Sequence, residues 1–222
     1  MNYYDNWLFK QCAVIFILLI SWPSTLKAEE INTLKINGEQ EAHMLTEIGK
    51  HVNIENLNIN CLEHLKKIPD EIGNLKKLKV LEIDNGNGCS MNPEYPETLG
   101  LLSELETLVL YGALDGKPRS RLPKSLANLK KLETLNIGRN QYETIPDVIF
   151  EIPNLKTLDL TYNKIKDLPN SLLKLKHLSK VILDGNYDIT CSPSKMAELV
   201  RRFKNVRFDF SNEFNCSDNE PL

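Results

Sequence analysis

The residues of this 222-residue chain that can do acid–base, nucleophilic or metal chemistry are few and widely spaced. His43, His51, His64 and His177 fall in separate stretches, and no Ser or Cys stands in a recognisable nucleophile setting. Cys61 and His64 are close in sequence, but a catalytic dyad needs hydrogen-bond reach between side chains, which proximity in sequence does not supply. A thiolate zinc site needs close pairs such as Cys-x-x-Cys, and Cys61, Cys89, Cys191 and Cys216 form none. Asp184-Gly-Asn-Tyr-Asp188 begins like a calcium loop, yet Ile189 stands where its sixth-position glycine belongs and Lys195 where its final acid belongs. No glycine-rich phosphate loop occurs. The expectation is a protein that is not an enzyme and holds no cofactor or metal.

Function must then rest on a surface, and a repeat sets which elements present it. The spacing apolar-x-x-apolar-x-apolar occurs at Ile31/Leu34/Ile36, Ile54/Leu57/Ile59, Leu78/Leu81/Ile83 and Leu105/Leu108/Leu110. It continues at Leu132/Leu135/Ile137, Leu155/Leu158/Leu160, Leu178/Val181/Leu183 and Phe203/Val206/Phe208. The central residues step by 23, 24, 27, 27, 23, 23 and 25, the signature of a solenoid of eight coils. Within one unit, Leu158-Asp159-Leu160 alternates as a strand does, while Leu168, Leu172 and Leu175 share a face of a helical turn. Five coils set a Pro ahead of that turn: Pro69, Pro96, Pro123, Pro146 and Pro169. Pro suits a helix start because the amide it lacks would be unpaired there. Each coil reads as a strand, a turn and a short helix or 3₁₀ piece, with the strands side by side in one parallel sheet. One coil buries too little to offset the entropy of ordering it, so stacking is compulsory.

The ends depart from the repeat. Glu39–His51, with Met44, Leu45 and Ile48 on one face, reads as an N-terminal helical cap. Pro193–Phe203, with Met196, Leu199 and Val200, reads as a helix before a last strand, Val206–Phe210. The segment 1–28 has Lys10 ahead of the apolar run Ala13–Ile20 and closes on Leu26-Lys27-Ala28, the layout of a signal peptide cleaved near Ala28. Its apolar run falls short of the roughly 20 residues of a membrane span, and an uncleaved anchor is the alternative. The expected organisation is a leader at 1–28, an N-terminal cap coil at 29–53, repeats at 54–190, and a C-terminal cap and polar tail at 191–222. The mature chain is expected to be secreted or periplasmic, monomeric and without a membrane span.

A net charge of −3 gives no reason to expect a nucleic-acid partner. In an exported chain the four remaining cysteines favour disulfides, with free thiols the alternative. Sequence alone allows three pairings. Cys61–Cys89 is preferred because Cys61 closely follows one strand and Cys89 lies in the next coil. Cys191 and Cys216 then flank the last helix and strand.

LxxLxLxxN followed by IPxxIxxL resembles the leucine-rich repeats, and the 23-residue form is similar to the Ras-suppressor and plant intracellular Ras-group type. The resemblance implies an α/β solenoid, a horseshoe with its parallel sheet on the concave side. It also implies an asparagine ladder, matched by Asn140, Asn163 and Asn186. Gly86 and Ala113 take the ladder's place in the two longer coils, whose extra residues within Asn85–Tyr95 and Tyr111–Leu122 suggest neighbouring loops on one rim. In such a coil the strand residues between the inward apolar ones face the concave surface. The expected partner-binding residues are Glu82, Asp84, Val109, Tyr111, Asn136, Asp159, Thr161, Ile182 and Asp184. Four acids make a strip, and Val109, Tyr111 and Ile182 are its apolar spots. Asn205, Arg207 and Asp209 are the last coil's expected contributions to the successive columns of the face. Recognition of a protein or peptide is the expected role, with envelope adhesion or glycan contact as the alternative. Charge reversal at Asp84 and Asp159 is expected to weaken binding without moving the thermal midpoint.

Overall fold

The computed structural model describes residues 32–60, 65–84, 93–112 and 121–210, all within one compact unit that begins at Asn32. The leader segment, Cys61, His64, Gly86, Cys89, Ala113, Cys216 and most of both long loops lie outside those residues.

Eight strands pair in chain order, all parallel. They are β1 (Thr33–Asn37), β2 (Asn56–Asn60), β3 (Val80–Asp84), β4 (Thr107–Tyr111), β5 (Thr134–Asn136), β6 (Thr157–Asp159), β7 (Lys180–Ile182) and β8 (Arg207–Asp209). The period of two decides the faces: Leu108 and Leu110 are buried, while Thr107, Val109 and Tyr111 between them are half-exposed. At the entrance to the sheet one carbonyl accepts two amides of the next coil. Glu106 O takes Glu133 N at 2.9 Å and Thr134 N at 3.1 Å, and Glu133 O takes Lys156 N and Thr157 N. This repeated doubling locks coil to coil.

The return legs are 3₁₀ helices, Asp70–Asn74, Glu97–Leu101, Lys124–Asn128, Asp147–Glu151 and Asn170–Lys174. Each expected Pro sits one residue ahead in extended conformation. Its carbonyl accepts the first i to i+3 bond, from Ile72, Leu99, Leu126, Ile149 and Leu172 at 3.0–3.2 Å. The proline supplies the acceptor the turn needs and has no donor to leave unpaired. Leu and Ile from strands and 3₁₀ turns fill one continuous core between the two layers.

Both caps form, with corrections. The N-terminal cap is a 3₁₀ helix, Glu39–Lys50, that buries Leu45 and Ile48 and partly buries Met44. At the other end a short α1 (Tyr187–Thr190), not foreseen, precedes α2 (Pro193–Arg202). Leu199 is buried there, but Val200, expected on the inner face, is 54% exposed because it lies at the margin of the apolar stripe. Cys191, between the two helices, is disulfide-bonded, and its partner lies outside the described residues.

The last coil is also re-registered. Val181 pairs with Phe208, not Val206, so the final step is 27 residues and not 25. Arg207 and Asp209 therefore occupy the columns expected to hold Asn205 and Arg207. A two-residue slip keeps every side chain on its own face, so the apolar pattern is blind to it. Packing favours the longer step: Phe208 meets Phe203 edge-on at 6.1 Å and stacks on Phe210 at 5.8 Å.

Candidate partner-binding face

The outer face of the sheet, concave in a leucine-rich-repeat horseshoe, is laid out by strand register. Its middle column is Lys35, Asn58, Glu82, Val109, Asn136, Asp159, Ile182 and Asp209. The next column runs Asn37, Asn60, Asp84 and Tyr111. It continues past the shorter strands through Gly138, Thr161 and Asp184, because Ile137 N bonds Asp159 O and Leu160 N bonds Ile182 O, at 3.0 and 2.9 Å. All nine expected residues lie on this face, each half-buried.

Their chemistry is less uniform than an acidic strip. Asn58 Nδ2 donates to Glu82 Oε2 at 2.6 Å. Asn136 Nδ2 donates to Asp159 Oδ2 at 3.1 Å, while Asp159 Oδ1 accepts the Thr161 amide at 2.9 Å and the Thr161 hydroxyl. Asn136 Oδ1 accepts the Gly138 amide at 2.8 Å. Asn136 and Asp159 thus close turns at their own strand ends, as Asx side chains do. Reversing charge at Asp159 would remove these turn-closing bonds, and the thermal midpoint is expected to fall there. Asp209, expected in the next column and moved by the register into the middle one, is clamped by Lys180 at 2.7 Å and Arg207 at 2.9 Å. The Lys180 hydrogen bond holds its carboxyl below the usual range against partial burial. Val109 and Ile182 project on the opposite side from the core.

Beneath the sheet's exit, the buried asparagines behave as the ladder requires. Asn163 Nδ2 donates to Ile137 O and Leu160 O at 3.0 and 2.9 Å, and its Oδ1 accepts the amides of Asn140 and Tyr142 at 3.1 and 3.0 Å. Asn140 and Asn186 repeat the double donation.

One cluster was missed. The turn position one residue beyond the last column holds Arg139, Tyr162 and Gly185 at 23-residue intervals, all left-handed, with φ of 55°, 53° and 71°. The Arg139 guanidinium carbon lies 5.5 Å from the Tyr111 ring centroid and 4.9 Å from that of Tyr162. Each ring lies over a glycine. A Cβ on Gly138 would come 2.8 Å from the Tyr111 ring, and one on Gly185 would run into Tyr162. Burial pushes the Tyr111 hydroxyl pKa up, and Arg139 pulls it partly back. The alternation of Tyr111, Gly138-Arg139, Tyr162 and Gly185 at coil spacing was visible in the sequence. Columns that stop at the strand's last residue leave it out.

Among the described residues no group of three His, Cys, Asp or Glu side chains could hold a metal ion. Among them, too, no helix is long and apolar enough to cross a membrane. Residues 130–187 match the family model described as Leucine rich repeat. The chain folds as an eight-stranded parallel solenoid like those of leucine-rich-repeat structures. No curated protein matches it. Among solved structures, a leucine-rich-repeat protein of Leptospira interrogans is similar at 25% identity with a TM-score of 0.54, over 74% of this chain and 45% of that one. The chain thus spans less than half the length of the Leptospira protein. An internalin of Listeria monocytogenes is similar at 17% identity and a TM-score of 0.46, over 76% of this chain and 52% of that one. The plant peptide hormone receptor RGFR1 in complex with RGF2 is similar at 21% identity and a TM-score of 0.45, over 79% and 30%.

Proposed function

We propose that this leucine-rich-repeat solenoid is an exported binding protein, not an enzyme, that recognises a protein or peptide through the outer, concave face of its sheet. The observation carrying this reading is that Val109 and Ile182 stand outside the core on a sheet whose other face is wholly consumed by packing. Apolar side chains held on a preordered surface lose little entropy when covered, so modest contacts suffice. Tyr111, in the same part of the face, is of the type enriched at binding hot spots.

The reading extends to the rest of the chain. Residues 1–28 are a cleaved leader, 29–53 and 191–222 are the caps, and the repeats are of the 23-residue Ras-suppressor-like type. The mature protein is a secreted or periplasmic monomer with disulfides Cys61–Cys89 and Cys191–Cys216. Intact mass before and after alkylation, with peptide mapping, checks leader removal and both pairings.

The test of function is capture from the extracellular or periplasmic fraction on the immobilised full chain, against a Val109→Glu/Ile182→Glu control. A protein retained by the first and lost from the second, with unchanged melting, supports the proposal. Binding on a glycan array with no captured protein instead favours adhesion through sugars.

A further inference from the structure

We infer that Arg139, held between Tyr111 and Tyr162, is a dock for a carboxylate of the protein or peptide partner; this rests on the concave-face reading above. A guanidinium carries five N–H donors in a planar fork and accepts nothing. Arg202 and Arg207 pair with carboxylates of this chain, Asp167 and Glu198 through the terminal nitrogens of the first, whose Nε is also buried and unpaired, and Asp209 for the second. The Arg139 guanidinium makes no ion pair and no hydrogen bond among the described residues, and its buried Nε has no partner. The two rings fix the plane of the guanidinium while satisfying none of its donors. An orphaned buried donor is costly until an acceptor arrives.

The backbone points the same way. Arg139 and Tyr162 hold left-handed φ at a turn position where Gly185 serves without penalty. For side chains with a Cβ such conformations are strained, and they cluster at functional sites. Glycine would fit these turns better, so the side chains there have another use. Arg and Tyr are also the residue types that dominate interface hot spots.

The surroundings select the anion. Asp84 stands beside Tyr111 in the sheet register and Asp159 beside Asn136 on the same face, and both carboxylates act on the Tyr111 hydroxyl, so the ring touching Arg139 lies in negative surroundings. A phosphate dianion meets about twice the repulsion of a monoanionic carboxylate there, while both fit the fork equally well. The carboxylate belongs to an Asp or Glu side chain or to a chain terminus.

Arg139→Gly removes the fork and relieves the backbone, so it folds. Arg139→Lys keeps the charge and loses the fork. A random dodecapeptide phage library is panned on the full chain, and selected peptides are synthesised with each acid or its amide, and with free or amidated C-termini. Wild type should prefer one acid over its amide at least tenfold, and both variants should lose that preference. Dependence on an internal Asp or Glu, or on the free terminus, identifies the source. Selected peptides that never distinguish acid from amide, or a preference that survives in Arg139→Gly, overturn the dock. The same peptides weakened by Val109→Glu/Ile182→Glu would then leave the concave-face reading standing, whereas indifference to that pair removes both.

Discussion

At the scale of residues, the ladder and the face make opposite demands on polar side chains. Asn163 is 4% exposed and uses both donors and both lone-pair directions on four backbone groups in three stretches of chain. Alanine there strands those groups without water. We expect Asn163→Ala to cost about 3 kcal/mol, summed from several unpaired buried groups, and urea midpoints measure it. Asp209 lies at the other extreme, exposed enough that its ion pairs are worth under about 1 kcal/mol. Its folded pKa is depressed, chiefly by the Lys180 hydrogen bond. The stability it lends is therefore complete above the unfolded carboxyl value of about 4 and is lost as pH falls through the lower folded value. Asp209→Asn should flatten the acid limb of the stability curve below about pH 4 relative to wild type. Equal limbs would mean that Lys180 and Arg207 do not grip it in solution.

At the scale of elements, one position of the 3₁₀ helices grades along the chain: Gly73, Gly100, Ala127, Phe150 and Leu173. The early members admit the next helix closely. A Cβ on Gly73 would lie 2.8 Å from Thr98 Cβ, and one on Gly100 would meet the backbone of Ser125. Leu173, at the far end, is 54% exposed. We expect Gly100→Ala to cost about 2 kcal/mol by overpacking, and Leu173→Ala to stay within about 0.5 kcal/mol, both read from thermal unfolding. The strands, the proline-led turns and the asparagine ladder were legible because each is dictated by a repeated need, burial or an unpaired backbone group. The last register was not, since Val206, Phe208 and Phe210 alternate identically in either pairing, and only the strand pairing and the ring contacts of Phe208 decide. The exposure of Val200 and the extra helix α1 were missed for a related reason. End coils have no neighbour to impose the repeat on them.

At the scale of the molecule, the solenoid is one sheet covered on its inner side by 3₁₀ turns and left open on the other. Spacing placed the nine expected residues on that open side, but it set the last coil's columns two residues early. It did not tell that Asp159 and Asn136 are tied into turns, nor that Arg139 lies clamped between two rings, because both facts depend on where a neighbouring coil places its side chains. What the chain offers a partner is thus narrower than the face as a whole: Val109, Ile182 and the Tyr111–Arg139–Tyr162 stack. The most direct test compares a captured partner's affinity for Val109→Glu/Ile182→Glu with that for Leu101→Lys/Leu173→Lys, exposed positions on the 3₁₀ layer. The account predicts at least a tenfold loss for the first pair, no loss for the second, and melting temperatures close to wild type for both. Loss confined to the second pair would place the interface on the opposite side of the solenoid and contradict it.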